Sequence, residues 1–259
     1  MLPLSGKHIL VTREATKAHT ITRLIEQQGG ISIEIPLLHF QGIYSEENEK
    51  VMNQLSSYDW VFFTSTNGIH FFFELMEHYH HKTFEHAVKM KFAVIGEKTE
   101  KVLHDFGYKA HFIPDTYTGE YLGKEFNEYT SESCSILVVQ GNLAKQSVVQ
   151  ELSNRNHTIS TAEMYETNVN VRMKEALKKS LHETSLDIIT FTSPSTVDAF
   201  VELAEEEWTE ELTSIPCMCI GPSTQAEARK KGFTYTIIPE YYTVEGMIEA
   251  TSAYFNKKG

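Results

Sequence analysis

This 259-residue chain has little cysteine, an excess of acid over base, and no long apolar run. Its three cysteines, Cys134, Cys217 and Cys219, are an odd number, and the apolar run in MLPLSGKHILVTRE is short and stops at Arg13. Reduced thiols in a cytoplasmic protein are expected rather than a disulfide-stapled secreted domain. Without a run of 18 apolar residues no membrane span is expected. Lys and Arg number 23 against 35 Asp and Glu, a net charge of −12. Such a chain lacks the basic face that nucleic acid requires, so nucleic acid is not an expected partner. Small anions remain open, because backbone N–H groups bind them whatever the net charge. The sequence also lacks a Gly-rich P-loop, a Ser-His-Asp pattern and a paired catalytic carboxylate motif. His78, His80 and His81 in EHYHHK have no carboxylate–His spacing to complete a metal set and read as a solvated helix end. Cys217 and Cys219 alternate along an apolar run and read as small buried residues. Of Phe71, Phe72 and Phe73, adjacent on one helix, core packing plus one exposed ring is expected.

What is present is a frame written twice. DWVFFTSTNGIHFF (Asp59–Phe72) and DIITFTSPSTVDAF (Asp187–Phe200) each carry an Asp, an apolar run, Phe-Thr-Ser, a polar turn and a second apolar run, with Ser65 and Ser193 128 residues apart. FAVIGEKTEKVLHDFG matches CMCIGPSTQAEARKKG, with Gly96 on Gly221 and Gly107 on Gly232, both 125 apart. FIPDTYTGEYL falls on IIPEYYTVEGM, pairing Thr118 with Thr243. Upstream, HILVTREATKAHTITRLIEQQGG resembles SILVVQGNLAKQSVVQELSNRNH, with Ile9 on Ile136, 127 apart. Four blocks in one order indicate a duplication, and the period is too long for a solenoid.

Each block reads as strand, turn and helix. Trp60–Phe63 is continuously apolar, as in a strand buried on both faces. Ser65 or Thr66 is placed to cap a helix, and Ser193 precedes Pro194 at a first helical turn. The expected fold is α/β: two similar lobes, each a parallel sheet flanked by helices in the flavodoxin or Rossmann manner, with the strand-to-helix turns on one edge. IEIPLLHFQGIY and TAEMYETNVN occupy corresponding places and read as two crossing strands. The expected domains are therefore residues 1–36 with 168–259, and an inserted domain 40–164, joined by paired linker strands at 34–40 and 162–168 with a cleft between the lobes.

Val11-Thr12-Arg13, FFTSTNG, VIGEKT, PDTYTGE, EMYET, FTSPST, CIGPST and YYTVEGM, in this order across nearly the whole chain, resemble the uroporphyrinogen-III synthase family. The resemblance implies a lyase that converts the linear tetrapyrrole hydroxymethylbilane to uroporphyrinogen III. Water is lost, the macrocycle closes, and ring D is inverted. It further implies no metal, no organic cofactor and a monomer. Tyr165 in EMYET matches the family tyrosine and is the expected catalytic residue, its phenol donating to the departing hydroxyl. Ser65, Thr66, Asn67, Ser193 and Ser195 match positions that contact substrate. Thr99, Gly221 and Thr224 belong to the Ile-Gly turns and are expected to contact substrate, and Thr118, Gly119 and Thr243 are expected to bind its arms through backbone amides; Gln140 is expected to bind substrate as well. Arg13 follows the first strand and suits a substrate carboxylate; Gln140 holds the equivalent place in the other copy without the charge.

Two other classes stay in view: a two-lobed protein that binds a small anion without catalysis, and a twin-lobed glycosyltransferase. The second lacks a convincing nucleotide-sugar motif. Conversion of hydroxymethylbilane separates the first from the synthase.

Overall fold

The computed structural model describes residues 2–79 and 90–256. Ten strands are found among them: β1 (His8–Val11), β2 (Ile31–Glu34), β3 (Leu38–Gly42), β4 (Trp60–Phe63), β5 (Lys91–Val94), β6 (Ser135–Gly141), β7 (Thr158–Val169), β8 (Ile188–Phe191), β9 (Cys217–Cys219) and β10 (Thr236–Ile237). They form two five-stranded sheets, in the orders β10-β9-β8-β1-β2 and β3-β7-β6-β4-β5. Every pair in the first sheet is parallel, as are β7-β6, β6-β4 and β4-β5 in the second. Helices connect the strands, which is the α/β architecture that strand–helix alternation predicts. The chain divides into two compact units: Met1–His39 with Asn168–Gly259 (unit 1), and Phe40–Thr167 (unit 2).

The duplication is visible in the pairing register. In unit 1, Ile9 lies opposite Ile188. In unit 2, Ile136 lies opposite Trp60. These are matching positions of the repeat, so each unit pairs a strand of one copy with a strand of the other. The Asp that opens each frame fixes this pair. Asp187 accepts from the His8 N–H at 2.9 Å through Oδ2, while its own N–H donates to the His8 carbonyl at 2.9 Å. Asp59 does the same with Ser135, at 2.8 Å in both directions. Unit 1 adds Lys7, whose Nζ is 2.8 Å from Asp187 Oδ1.

The central strands are buried on both faces, and alternate side chains serve separate cores. In unit 2, Val61, Phe63, Leu137 and Val139 join the helix Thr66–Tyr79, whereas Trp60, Phe62, Ile136 and Val138 join Phe126 and Val148 on the other face. In unit 1, Leu10, Ile189 and Phe191 pack with both Cys217 and Cys219, while Ile9, Val11 and Ile188 pack with Ile21 and Met247. The cysteines are free, fully buried members of a core. Burial pushes the Cys219 thiol up to about 12.

Local punctuation follows the sequence. Ser193 caps the helix Pro194–Leu203 in a reciprocal capping box with Thr196. Gly107 and Gly232 end their helices at φ of 88° and 99°, a region that favours glycine. Among the described residues no helix is long and apolar enough to cross a membrane, and no group of three or more His, Cys, Asp or Glu is arranged to hold a metal ion. Of the histidine triplet, His78 is exposed beside the rings of Tyr44 and Tyr79, and His80 and His81 lie outside the described residues.

Asp187→Ala removes a charge-assisted bond to the centre of the first sheet and the Lys7 pair. It is expected to lower the unfolding free energy by about 2 kcal/mol, read from the urea midpoint with an unchanged slope.

Candidate active site

The C-terminal edge of unit 2's sheet is organised around Tyr165. This residue lies on β7, where the pairing with β6 is irregular: Gln140 faces Glu163, but Gly141 faces Tyr165. The irregularity re-aims one side chain, as bulges beside functional sites do. The ring then crosses the end of β6. A Cβ on Gly141 would come within 2.5 Å of two Tyr165 ring atoms, so only glycine leaves this space. Phe71 stacks on the ring at 5.2 Å and 15°, and Phe40 meets it edge-on at 6.2 Å. This corrects the expectation of one exposed phenylalanine. Phe72 and Phe73 are core residues, and Phe71 is half-buried because it covers the tyrosine.

The Tyr165 hydroxyl lies 3.0 Å from Ser65 Oγ. Ser65 Oγ also accepts the Gly68 N–H at 3.0 Å, so the serine caps the helix Thr66–Tyr79 and holds the tyrosine at once. With that acceptor role filled, the serine's own hydrogen can go to the phenolic oxygen, leaving the phenol's hydrogen for another acceptor. Tyr165 is 9% exposed. Burial raises its pKa above the ordinary value, and the Ser65 bond opposes the shift in part. The phenol is therefore protonated at neutral pH.

A cavity of about 280 Å³ lies here, and Ser65, Gly119 and Tyr165 all line it. So do Lys145 and Ser147, which sequence reasoning passed over. The lysine is exposed at the cavity wall and supplies there the positive charge that Gln140 lacks. Its signal was available: the turn after β6 reads GNLAKQ, and Lys17 holds a similar place after β1. Gly119 is less constrained than Gly141: a Cβ there would stand 2.8 Å from Ser147 Oγ, which can rotate away.

The remaining candidates of unit 2 are distributed along the same edge. Thr66 and Asn67 open the helix after Ser65. Thr118 accepts the Tyr121 N–H at 3.3 Å as a helix cap. Thr99 is buried in the first turn after Gly96. Gln140 is 4% exposed, with no hydrogen-bond partner for its Oε1.

Unit 1 carries its candidates on the corresponding edge. Arg13 follows β1 and is half-buried; burial lowers its pKa while Glu14 and Glu245 oppose the shift. Lys17, in the next helical turn, is also lowered mainly by burial. Two cations are thus partly withdrawn from water on this edge of an acidic chain. Ser193 and Ser195 touch through their hydroxyls at 2.9 Å. Gly221 and Thr224 are buried at the start of the helix Pro222–Lys230, and Thr243 Oγ1 accepts the Gly246 N–H at 3.1 Å.

The family model described as uroporphyrinogen-III synthase HemD matches residues 19–249. The chain belongs to this family. Among the relatives of this synthase family, the porphyrin biosynthesis protein HemD of Ruminiclostridium josui is 30% identical over 252 residues, covering 95% of this chain and 48% of that protein. This chain therefore spans about half the length of that relative. A putative uroporphyrinogen-III synthase of Methanocaldococcus jannaschii is 28% identical over 244 residues, 93% of this chain and 96% of that one. The crystal structure of a mutant uroporphyrinogen III synthase from Thermus thermophilus has the same fold, with a TM-score of 0.67 at 14% identity over 98% of this chain and 100% of that one. Enzymes of the uroporphyrinogen-III synthase family are cyclising lyases of tetrapyrrole synthesis.

Gly141→Ala forces the Tyr165 ring away from Ser65 and is expected to cost about 1–3 kcal/mol of stability. On a Tyr165→Ala background the cost should shrink, which a double-mutant cycle of urea denaturation detects.

Proposed function

We propose that the chain catalyses the uroporphyrinogen-III synthase reaction on hydroxymethylbilane, a linear tetrapyrrole with acetate and propionate arms. The terminal hydroxyl leaves as water, the macrocycle closes, and ring D is inverted through a spiro intermediate. The product, uroporphyrinogen III, is a precursor of haem. The reading carries with it a monomer acting in the cytoplasm, without a metal or organic cofactor. Its domain boundaries are residues 1–36 with 168–259, and 40–164, with 34–40 and 162–168 as linker strands.

The observation that supports this most is the neutral phenol of Tyr165, held by Ser65 at the wall of a cavity. A phenol so held donates a hydrogen bond to the departing hydroxyl and eases its loss. Hydroxymethylbilane is already reactive and closes unaided to the non-inverted isomer. The protein's task is therefore geometric: to favour one closure over another. Lys145 beside Tyr165, and Arg13 on unit 1, are cations suited to carboxylate arms in a chain whose net charge of −12 repels them. Ser65, Thr66, Asn67, Thr118, Gly119, Gln140, Ser193, Ser195, Gly221 and Thr243 complete the proposed substrate contacts. Thr99 and Thr224, both buried, act in this reading through the turns they stabilise.

The test is product analysis with hydroxymethylbilane made in situ, oxidised, and separated by isomer. Mostly isomer III is expected; isomer I alone, at the spontaneous rate, sinks the reading. Tyr165→Phe should lower kcat by about 10²-fold with little change in KM, because only the proton donor is lost. Since burial raises the pKa of Tyr165, its acid form persists as pH rises. Its ionisation should leave the rate flat up to about pH 10.

Lys145→Gln should raise KM by about tenfold, the effect of about 1.4 kcal/mol. It should also weaken the salt dependence of KM, since a screened charge has been removed. Initial rates at two ionic strengths check both.

A further inference from the structure

The strand pairing between β6 and β7 stops at Gly141 and Tyr165, yet β7 runs on to Val169. Past Gly141 the chain turns, with the Ala144 N–H donating to the Gly141 carbonyl at 3.0 Å. This turn brings Leu143, Ala144 and Lys145 to the wall of the Tyr165 cavity. The Asn142 N–H still donates to the Tyr165 carbonyl, at 3.1 Å. In a regular parallel ladder the next bond would run from the Thr167 N–H to the Asn142 carbonyl. Here the side chain of Asn142 takes that place. The Thr167 N–H donates to Asn142 Oδ1 at 2.8 Å, and Asn142 Nδ2 donates to the Thr167 carbonyl over a longer 3.5 Å. A side-chain amide thus stands in for a peptide group, as asparagine does in turns. The ladder gains one rung while the chain turns away to build the cavity wall.

These rungs lie just beyond the register shift between Gln140 and Gly141. A shift of that kind interrupts the ladder and bends the strand, so the backbone that carries Tyr165 needs a hold on its far side. Ser65 meets the tip of the tyrosine and Phe71 its face. Asn142 grips the main chain of Tyr165 and of Thr167, two residues on. Asn142, Tyr165 and Thr167 all belong to unit 2. The other copy of the repeat has neither partner. With Ile9 set on Ile136, Ala15 falls on Asn142; with Glu34 set on Ala162, Leu37 falls on Tyr165. The amide is present where the phenol is, and absent where the phenol is absent.

We propose that Asn142 is a positioning residue for Tyr165, fixing the backbone from which the phenol reaches the departing hydroxyl. This deepens the synthase reading and rests on it. A proton donor has to be held within about 0.5 Å of its productive place. A strand end that tilts beyond the bulge moves the phenol by more than that, while the cavity that receives substrate stays in place.

The experiment measures kcat and KM on hydroxymethylbilane made in situ. Asn142→Ala is expected to lower kcat about fivefold, the effect of one neutral hydrogen bond. Its KM should stay within about twofold of wild type, since substrate binding is not what the amide serves. Asn142→Asp keeps an acceptor for the Thr167 N–H and should hold kcat within about twofold of wild type. On a Tyr165→Phe background there is no phenol proton to place, so Asn142→Ala should change kcat by less than about twofold. An unchanged kcat in Asn142→Ala, a loss that persists in full on that background, or an aspartate variant as slow as the alanine variant overturns the proposal. A wild type that makes no isomer III overturns the synthase reading instead, and the position of the ring is then read without turnover. The protein is labelled with meta-fluorotyrosine, and the fluorine resonance missing from Tyr165→Phe identifies Tyr165. That resonance should shift in Asn142→Ala and keep its place in Asn142→Asp. A resonance that stays in both variants, or moves equally in both, overturns the role of Asn142.

Discussion

A carboxylate at the foot of each sheet holds the structure in register. Asp59 and Asp187 each exchange two hydrogen bonds with the first residue of the neighbouring strand, one through the side chain and one through the backbone. A parallel pair has evenly spaced, slanted bonds that do not by themselves select one alignment. A carboxylate that meets one particular N–H does select it. With the foot fixed, the strands β4 and β8 end where Thr64-Ser65 and Thr192-Ser193 must turn into helices. The positions of Ser65 and Ser193 on the upper edge follow from a bond at the lower one.

The upper edge of unit 2 is then refined by what is missing from it. Gly141 lacks the side chain that would fill Tyr165's place, and Gly119 lacks the one that would displace Ser147. Phe71 closes the open side of the tyrosine ring. Ser65 joins two tasks, since the bond that starts a helix also orients the serine toward the phenol. Capping and ligand positioning are thus one arrangement.

How much of this was legible depended on the distance over which the cause acts. Helix caps were readable, because Ser193-Pro194 and Gly107 act on their immediate neighbours. Buried strands were readable from continuous apolar runs, and the doubled architecture from spacings near 128. The clamp was in view as the Asp opening each frame, but its role was not, since the partners lie 76 and 179 residues away. Tyr165 was singled out only through the family resemblance, for nothing in EMYET announces a bulge. Phe71 was misjudged because adjacent helical positions diverge, and the divergence that took it out of the core carried it onto the tyrosine. Ser147 was missed because only the folded turn after β6 brings it to the cavity wall, and Lys145 because its place in GNLAKQ, though visible, was not compared with Lys17 after β1.

The exchange of strands between copies bears on how the chain is made. Unit 2 is one continuous stretch, and its last strand partner is present once residue 167 has been added. In unit 1, β1 is synthesised well before β8, its neighbour at the centre of the sheet, which comes about 180 residues later. At elongation rates of about 5–20 residues per second, β1 waits on the order of ten seconds or more for that neighbour. During this interval Ile9, Leu10 and Val11 have one flank without a strand, and such an edge invites pairing with other chains. The brevity of β1, four residues in all, keeps that open edge short.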